Sequence, residues 1–439
     1  MWAFLSIFIL STAGFADDFD SLMKQARAAS LAFDLDTAQA VFAQACPADQ
    51  LAAFPLQKAS LCQHEFGTIA EAKGNGDEAA DHYLKALAGW EKLGRPYLTH
   101  QITTMTNLGG LYRREHRSTE AEKMLNRALE LATSISGSDP ELYATVLSRS
   151  AALYRDLDQP ERARGMLEDA ITRLRALNPI NTSELAWAYS ALGMVNLGQG
   201  QYKSGESSLR KALGFSEENL GEENPETAAY ATNLALALLV QGQYNGAETL
   251  LRRARFVIES RVGPDSVELV SVLAELTSVE KGLGKFQVAE DCAEKALAIL
   301  DKHVPAESIE IVLTQVNLGS LYLRERKTAE AEKILPTAVE EERRMLKDGR
   351  TLGDGIRNLA ALKAQQKSWG VAESLYREAI SIYERRLGVD HPDIAPVLRE
   401  YADVLKHNRV SKARIRSVEA RALAIENPAQ HRHAIGEAS

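Results

Sequence analysis

The chain has 439 residues, of which 45% are hydrophobic, only 6% are aromatic and 25% are charged. Ala and Leu make up most of the apolar set, a mix that is typical of amphipathic helices. The formal net charge of −9 provides no basic footprint for phosphates, so we expect no nucleic-acid partner. The one basic stretch, residues 406–421, is interpreted as the solvated face of a terminal helix.

The N-terminus carries an apolar run over residues 2–10, followed by the small residues Gly14 and Ala16. This pattern predicts a signal peptide over residues 1–16, cleaved after Ala16, and a bacterial protein exported to the periplasm or secreted. The run is too short to span a bilayer as a helix, so no membrane insertion is expected after cleavage. The run has no Lys or Arg. The alternative is an apolar helix packed on the first repeat of a cytoplasmic protein.

The chain contains three cysteines. Cys46 and Cys62 flank the connection between the first two repeats described below, and Cys292 lies in a later predicted helix. An exported chain would permit a disulfide between Cys46 and Cys62, although the sequence leaves this pairing open. Cys292 is then expected to be a small buried hydrophobe.

The strongest pattern is a column of alanines that recurs every 41 or 42 residues, with a second column of small residues seven positions earlier. The alanine column consists of Ala45, Ala86, Ala128, Ala170, Ala212, Ala254, Ala296, Ala338, Ala379 and Ala420. The second column consists of Ala38, Ala79, Ala121, Ala163, Gly205, Ala247, Ala289, Ala331, Ala372 and Ala413. Small side chains let two antiparallel helices pack closely, whereas a bulky one would overpack the contact. The columns therefore predict tandem pairs of helices, A and B.

Gly and Pro occur where this spacing places the connections, for example Gly242 between helices A and B and Pro264 between repeats. Such residues end one helix and begin the next, and no segment alternates as a strand would. We predict an all-α solenoid of about ten helix–turn–helix repeats over residues 17–425. Residues 401–425 are predicted to be a degenerate C-terminal cap, and residues 426–439 a disordered tail. A capped solenoid is expected to be a monomer.

A third column of small residues lies twelve positions before the second, and several of its members follow a Leu, as Gly109 and Gly319 do. The order Leu-Gly, Ala, Ala resembles the tetratricopeptide repeat. The 42-residue period resembles its kinesin-light-chain variety, most closely in residues 220–254, LGEENPETAAYATNLALALLVQGQYNGAETLLRRA. The resemblance implies a right-handed superhelical α-solenoid that binds a peptide or protein segment along a concave face lined by the A helices.

The resemblance also implies a binding site, because asparagines one residue before the Leu of helix A contact the ligand backbone in that variety. Four positions match: Asn107, Asn233, Asn317 and Asn358. An Asn amide both donates and accepts hydrogen bonds, so it suits an extended peptide. Four arginines late in their A helices are candidates for binding carboxylates, namely Arg113, Arg114, Arg155 and Arg324. The alternatives are solvated asparagines and arginines that complement the helix dipole.

No catalytic motif occurs: the chain has no GxSxG, HExxH, P-loop or dinucleotide-binding pattern. The repeats also leave no stretch for a separate catalytic domain, and neither CxxC nor HxxxH is present. We therefore predict no enzyme, no metal and no cofactor. The predicted function is a non-catalytic protein-interaction scaffold. The alternatives are a structural solenoid that self-associates or acts as a spacer, and an accessory subunit of a separately encoded effector.

Overall fold

The computed structural model of the chain describes residues 18–31, 34–346, 349–408 and 410–426. The predicted signal peptide and the segment after Glu426 lie outside these residues. The described residues form twenty α-helices and no strand, as predicted for an all-α repeat protein. The A helices are α1 (Asp18–Leu31), α3 (Leu56–Ala72), α5 (Leu98–Arg114), α7 (Pro140–Asp156), α9 (Thr182–Gly198), α11 (Pro225–Val240), α13 (Glu268–Gly282), α15 (Ile309–Arg324), α17 (Arg350–Gln365) and α19 (Ile394–His407). The B helices are α2 (Leu35–Ala45), α4 (Gly76–Leu93), α6 (Ser118–Ile135), α8 (Pro160–Arg175), α10 (Tyr202–Leu220), α12 (Tyr244–Arg261), α14 (Phe286–His303), α16 (Thr328–Leu346), α18 (Trp369–Leu387) and α20 (Lys412–Glu426).

The chain divides into two compact units. Unit 1 comprises the described residues of Met1–Val195 together with Lys211–Gly221, and unit 2 comprises Asn196–Arg210 together with those of Glu222–Ser439. In unit 2 each A helix from α11 to α17 packs against its B partner and also against the next A helix, whereas successive B helices make no comparable contact. Unit 2 therefore curves toward its A helices. We call the surface formed by α11, α13, α15, α17 and α19 the A face.

The columns of small residues are buried where helices A and B of one repeat meet. Ala128 in α6 and Ala254 in α12 are completely inaccessible, and the other members from the first nine repeats are buried as well. The tenth repeat departs from the prediction, because Ala413 and Ala420 are exposed. In α20 the buried residues are Ala422 and Ile425 instead. This last helix packs mainly on α19, and its larger apolar side chains set a different buried face.

The connection from helix A to helix B has the same backbone in eight repeats. One residue at each connection has a φ between 59° and 82°, namely Gly74, His116, Asp158, Gly200, Gly242, Gly284, Arg326 and Lys367. The following amide closes the turn by donating to a carbonyl five residues back, as Gln243 does to Leu238 at 2.9 Å. Glycine adopts this left-handed conformation without penalty, whereas other residues pay about 1–2 kcal/mol for it. Four of these eight repeats therefore adopt the same turn with a residue other than glycine at this position.

Polar contacts link successive repeats of unit 2 through a glutamate that follows the second small column by one residue. Lys285 Nζ donates to Glu248 at 2.7 Å, and Lys327 Nζ donates to Glu290 at 2.9 Å. The same position in three other repeats accepts hydrogen bonds from the next repeat in the pairs Gln241–Glu206, Lys363–Glu332 and Asn408–Glu373. These hydrogen bonds to glutamates of the B helices hold successive repeats of unit 2 together.

A disulfide joins Cys46, just after α2, to Cys62 in α3, with the Cα atoms 5.8 Å apart. The structure therefore contains the disulfide that the sequence alone could not decide. Cys292 is a free cysteine with 3% of its surface exposed, which confirms its expected role as a small buried residue. The bridge ties the first repeat of unit 1 to the second.

Candidate functional site

The A helices of unit 1 carry charged side chains that neutralise one another. Arg27 Nε donates to Glu65 at 2.9 Å. Arg149 pairs with Glu184 at 3.1 Å, and its guanidinium lies 3.9 Å from the centre of the Trp187 ring. Glu65 and Arg149 occupy the position that holds Asn in other repeats, so at these two places the position predicted to bind a ligand is already engaged within the chain.

A histidine and a threonine extend this network. His64 Nδ1 lies 2.9 Å from Thr104 Oγ1. Burial, followed by the charge of the nearby Arg27, lowers the pKa of His64 to about 4. Burial also raises the pKa of Glu65, although Arg27 opposes this shift. His64 is therefore neutral at physiological pH and contributes packing and one hydrogen bond to this surface.

Three of the four candidate arginines are paired within unit 1. Arg114 forms an ion pair with Glu71, and burial, followed by the charge of Arg149, lowers the Arg114 pKa to about 10. Arg113 and Arg155 both contact Asp156, at 2.7 and 2.8 Å. A ligand carboxylate would have to displace these internal partners.

The candidate asparagine of unit 1 is also placed beside a polar group of its own chain. Asn107 lies at the hydroxyl of Tyr83, a buried residue whose pKa is raised mainly by burial. The same hydroxyl donates to Glu71 at 2.6 Å. Asn107 is thus part of the polar cluster around Glu71.

The A face of unit 2 differs, because several of its polar side chains have no partner. Asn317 and Asn358 are partly buried and make no hydrogen bond with any described residue, whereas Asn233 does have an internal interaction. Glu275 occupies the same position in α13, and it too has no partner in the described part of the chain. Burial alone raises the pKa of Glu275 to about 7.

Two cations lie near the C-terminal ends of α13 and α15. Lys281 Nζ donates to Ser320 Oγ at 2.7 Å, which links the two helices. Arg324 follows Ser320 by one helical turn and is exposed, without a hydrogen bond or ion pair among the residues described. Of the four arginines expected to bind carboxylates, Arg324 is therefore the one without an internal partner.

The charges on α17 are paired at the C-terminal side of the A face. Arg357 Nε donates to Glu400 at 2.8 Å, and Asp354 accepts a hydrogen bond of 2.5 Å from the Tyr383 hydroxyl. Burial raises the Asp354 pKa, while Arg350 opposes this. On the A face, Glu275, Asn317, Asn358 and Arg324 remain without a hydrogen bond or ion pair among the described residues.

Sequence reasoning located the asparagines and Arg324 but not Lys281, Ser320 or the role of Glu275. The repeat spacing could have identified Lys281, since it lies six residues after the Asn position, as Arg113 and Arg155 do. Within the described ranges, no three His, Cys, Asp or Glu side chains are grouped as metal ligands. No described helix is long and apolar enough to cross a membrane.

The fold and this surface define an α-solenoid of the class that serves as a protein-interaction scaffold. The chain belongs to the tetratricopeptide repeat family, whose model matches residues 61–133, 100–176, 184–255, 231–302 and 350–426, more than half of the chain. The family predicted from the small-residue columns is therefore confirmed. A comparison with curated protein sequences gives no match.

One solved structure shares this fold, and two others are similar to parts of the chain. A Rap protein complexed with Competence and Sporulation Factor aligns with a TM-score of 0.63 and 14% identity, over 87% of this chain and 99% of the Rap chain. BtubC from P. vanneervenii has 22% identity and a TM-score of 0.44, over 50% of this chain and 89% of its own. A putative kinesin light chain from Podosopora anserina has 21% identity and a TM-score of 0.38, over 45% and 94%.

Proposed function

We propose that the protein is a non-catalytic scaffold whose A face binds an extended segment of another protein. The observation that carries the proposal is the contrast between the units. Charged side chains on the A helices of unit 1 pair with one another, as Arg27 does with Glu65, whereas Asn317, Asn358 and Glu275 in unit 2 have no partner among the described residues. Each of these side chains is partly exposed, so a ligand can reach it, and a bound peptide backbone would supply hydrogen-bond partners from the chain of another protein.

The equal spacing of these groups supports the same proposal. Asn233, Glu275, Asn317 and Asn358 occupy one position in four consecutive A helices, which lie side by side. A row of amides can pair with the backbone of a ligand irrespective of its side chains. The Rap protein of similar fold, solved with Competence and Sporulation Factor, is an example of a relative in fold that holds a ligand.

Photo-crosslinking in the native host tests this proposal. A photo-crosslinking amino acid replaces Asn317 on the A face or, as the control, Lys333, which is exposed on the B helix α16. We expect one partner to be crosslinked from position 317 and not from position 333. Crosslinks from both positions, or from position 333 alone, would rule out the A face as the binding surface.

A pair of substitutions then measures the contribution of the asparagines. The Asn317→Ala/Asn358→Ala variant should lose most of its affinity for the crosslinked partner while keeping the helical circular-dichroism signal. Asn245→Ala, at an exposed position of the B helix α12, serves as the control and should bind normally. Unchanged binding of the double variant would remove these amides from the site.

We also propose that the chain is exported and that residues 1–16 are removed. The disulfide between Cys46 and Cys62 supports this proposal, since such bonds persist in oxidising compartments. The N-terminal sequence of protein isolated from the host periplasm or medium is expected to begin at Asp17. Recovery of the protein only from the cytoplasm, starting at Met1, would refute export.

A further inference from the structure

A pocket of about 250 Å³ lies between the B helices α12 and α14 of unit 2, with residues of the A helix α13 at its inner end. Leu276 and Glu280 of α13 and Cys292 of α14 line the pocket, and all three are buried. Phe256 of α12 and Val288 of α14 also line it, but they are 68% and 39% exposed. The pocket is therefore reached from solvent past Phe256 and Val288, and it shares no residue with the polar row of the A face.

The repeat pattern explains why space is left at Cys292. This residue lies three positions after the second small column, where the preceding repeat has Leu250 and the two following repeats have Ile334 and Leu375. All three are partly buried, and Ile334 and Leu375 pack against the hydrophobic core. Because the cysteine side chain is smaller than these, it leaves a pocket open in its own repeat.

Phe256 is a second departure from the repeat pattern. It lies two positions after the alanine column, where the other nine repeats have Ala, Gly, Ser, Thr, Pro or Glu. Its ring makes no aromatic or cation–π contact with the described residues. An exposed ring beside an apolar pocket offers a face on which another ring can stack.

The charged side chains that line the pocket are paired with one another. Arg252 Nη2 lies 3.0 Å from Glu280 Oε1, and Arg255 Nε lies 2.9 Å from Glu259 Oε1. The Cys292 thiol adds no charge at neutral pH, because burial raises its pKa. A charged ligand would have to separate one of the ion pairs, so the pocket favours an uncharged one.

We propose that this pocket binds a small uncharged aromatic compound of about the size of indole. An apolar cavity of roughly 150 Å³ holds benzene, so a pocket of about 250 Å³ has room for two fused rings. Pockets for drug-sized ligands begin at about 300 Å³, which excludes larger compounds. Phe256 stacks on the bound ring, and Leu276, Val288 and Cys292 surround it. This site goes beyond the proposed function and does not depend on it.

Indole is the probe, and the Cys292 thiol of the full chain reports its binding, since Cys46 and Cys62 are bridged. Ligand-observed NMR should give a dissociation constant on the order of 0.1–1 mM for a ligand of this size. Indole at about ten times that concentration should slow the reaction of Cys292 with methyl methanethiosulfonate about tenfold. Indole-3-acetate, which carries a carboxylate, should have little effect. An unchanged rate with indole, or equal protection by indole-3-acetate, would overturn the proposal.

Two substitutions at one position test the pocket itself. Cys292→Leu introduces the side chain that Leu250 provides in the preceding repeat, and it should weaken indole binding at least about tenfold by filling the space. Cys292→Ala keeps the space open and should change the affinity by less than about twofold. Ligand-observed NMR measures both, and thermal unfolding shows that both variants fold. Equal affinities in these two variants would overturn the pocket as the site.

A substitution on the surface tests the stacking ring without changing the core. Phe256→Ala should weaken indole binding about fivefold, because one aromatic pair is lost. Val371→Ala, at an exposed position of α18 outside the pocket, is the control and should bind indole like the unchanged chain. Equal affinities in the Phe256→Ala and Val371→Ala variants would contradict the proposal, whether or not Cys292→Leu folds.

Discussion

Tyr202, in the first turn of α10, donates its hydroxyl hydrogen to the carboxylate of Asp393, 191 residues later in the chain. The contact joins the first residues of unit 2 to the loop before α19. Gly200 belongs to the same contact, since a Cβ atom there would lie 2.8 Å from Pro392 Cδ. Burial and the Asp393 hydrogen bond raise the pKa of Tyr202. A hydrogen bond to an ionised partner is stronger than one between neutral groups.

Tyr202→Phe should therefore destabilise unit 2. We expect a loss of about 1–2 kcal/mol in the free energy of unfolding, because the substitution removes a hydrogen bond to a charged group. Tyr244→Phe is the matched control, since the Tyr244 hydroxyl makes no hydrogen bond with the described residues. Thermal unfolding of the two variants measures the difference. Equal melting temperatures would mean that the Tyr202 contact contributes nothing to stability.

The repeat architecture could be predicted because its signal is periodic. A small residue every 41 or 42 positions has one physical cause, which is the close packing of helix pairs. In the first nine repeats these small residues are buried between the two helices. The contact of Tyr202 with Asp393 could not be predicted, because it depends on the rotation and displacement accumulated over several successive repeats. The pairing of Arg114 with Glu71 likewise depends on the offset between neighbouring helices, which a single sequence does not reveal.

The tenth repeat shows where a periodic pattern misleads. Ala413 and Ala420 continue both columns in sequence but are exposed in α20. Ala128→Leu in α6 should cost about 1–3 kcal/mol through overpacking, whereas Ala420→Leu should change the free energy of unfolding very little. Urea unfolding of both variants checks this contrast. A large loss of unfolding free energy in the Ala420→Leu variant would mean that Ala420 is buried, as the repeat pattern predicts for α20.

Residues with a positive φ between helices A and B give a prediction of increased stability. Arg326 is exposed and has a φ of 60°. Arg326→Gly should raise the free energy of unfolding by about 0.5–1 kcal/mol, because relief of backbone strain outweighs the entropy that glycine adds to the unfolded chain. Lys333→Gly, at an exposed position in the middle of α16, should lower it by about 1 kcal/mol. Differential scanning calorimetry would contradict this account if both variants were destabilised equally.

The disulfide should stabilise the N-terminal repeat. Cys46 and Cys62 are 16 residues apart in sequence, and closing a loop of this size contributes about 3 kcal/mol. The Cys46→Ser/Cys62→Ser variant should therefore show faster hydrogen exchange in α1 and α2. A reducing agent should have the same effect on the unchanged chain and none on the variant. Identical exchange in α1 and α2 with and without the bond would show that packing alone holds this repeat.

Glu342 in α16 makes the stability of unit 2 dependent on pH. Its side chain is completely buried, and burial, followed by the charge of Asp354, raises its pKa from 4.5 to about 7. Between these two pH values the unfolded chain loses this proton while the folded chain keeps it, so the contribution of Glu342 to stability falls as pH rises. Below pH 4.5 both states are protonated and the effect vanishes.

Glu342→Gln removes this ionisation and keeps the shape of the side chain. The variant should match the unchanged chain near pH 4 and be the more stable of the two at pH 8, with the difference growing mainly between pH 4.5 and 7. Glu330→Gln, at an exposed position of the same helix, is the control that removes one carboxylate without changing the buried site. Urea unfolding at several pH values supplies the curves. Parallel curves for Glu342→Gln and the unchanged chain would mean that Glu342 is ionised in the folded protein and that a cation or solvent reaches it.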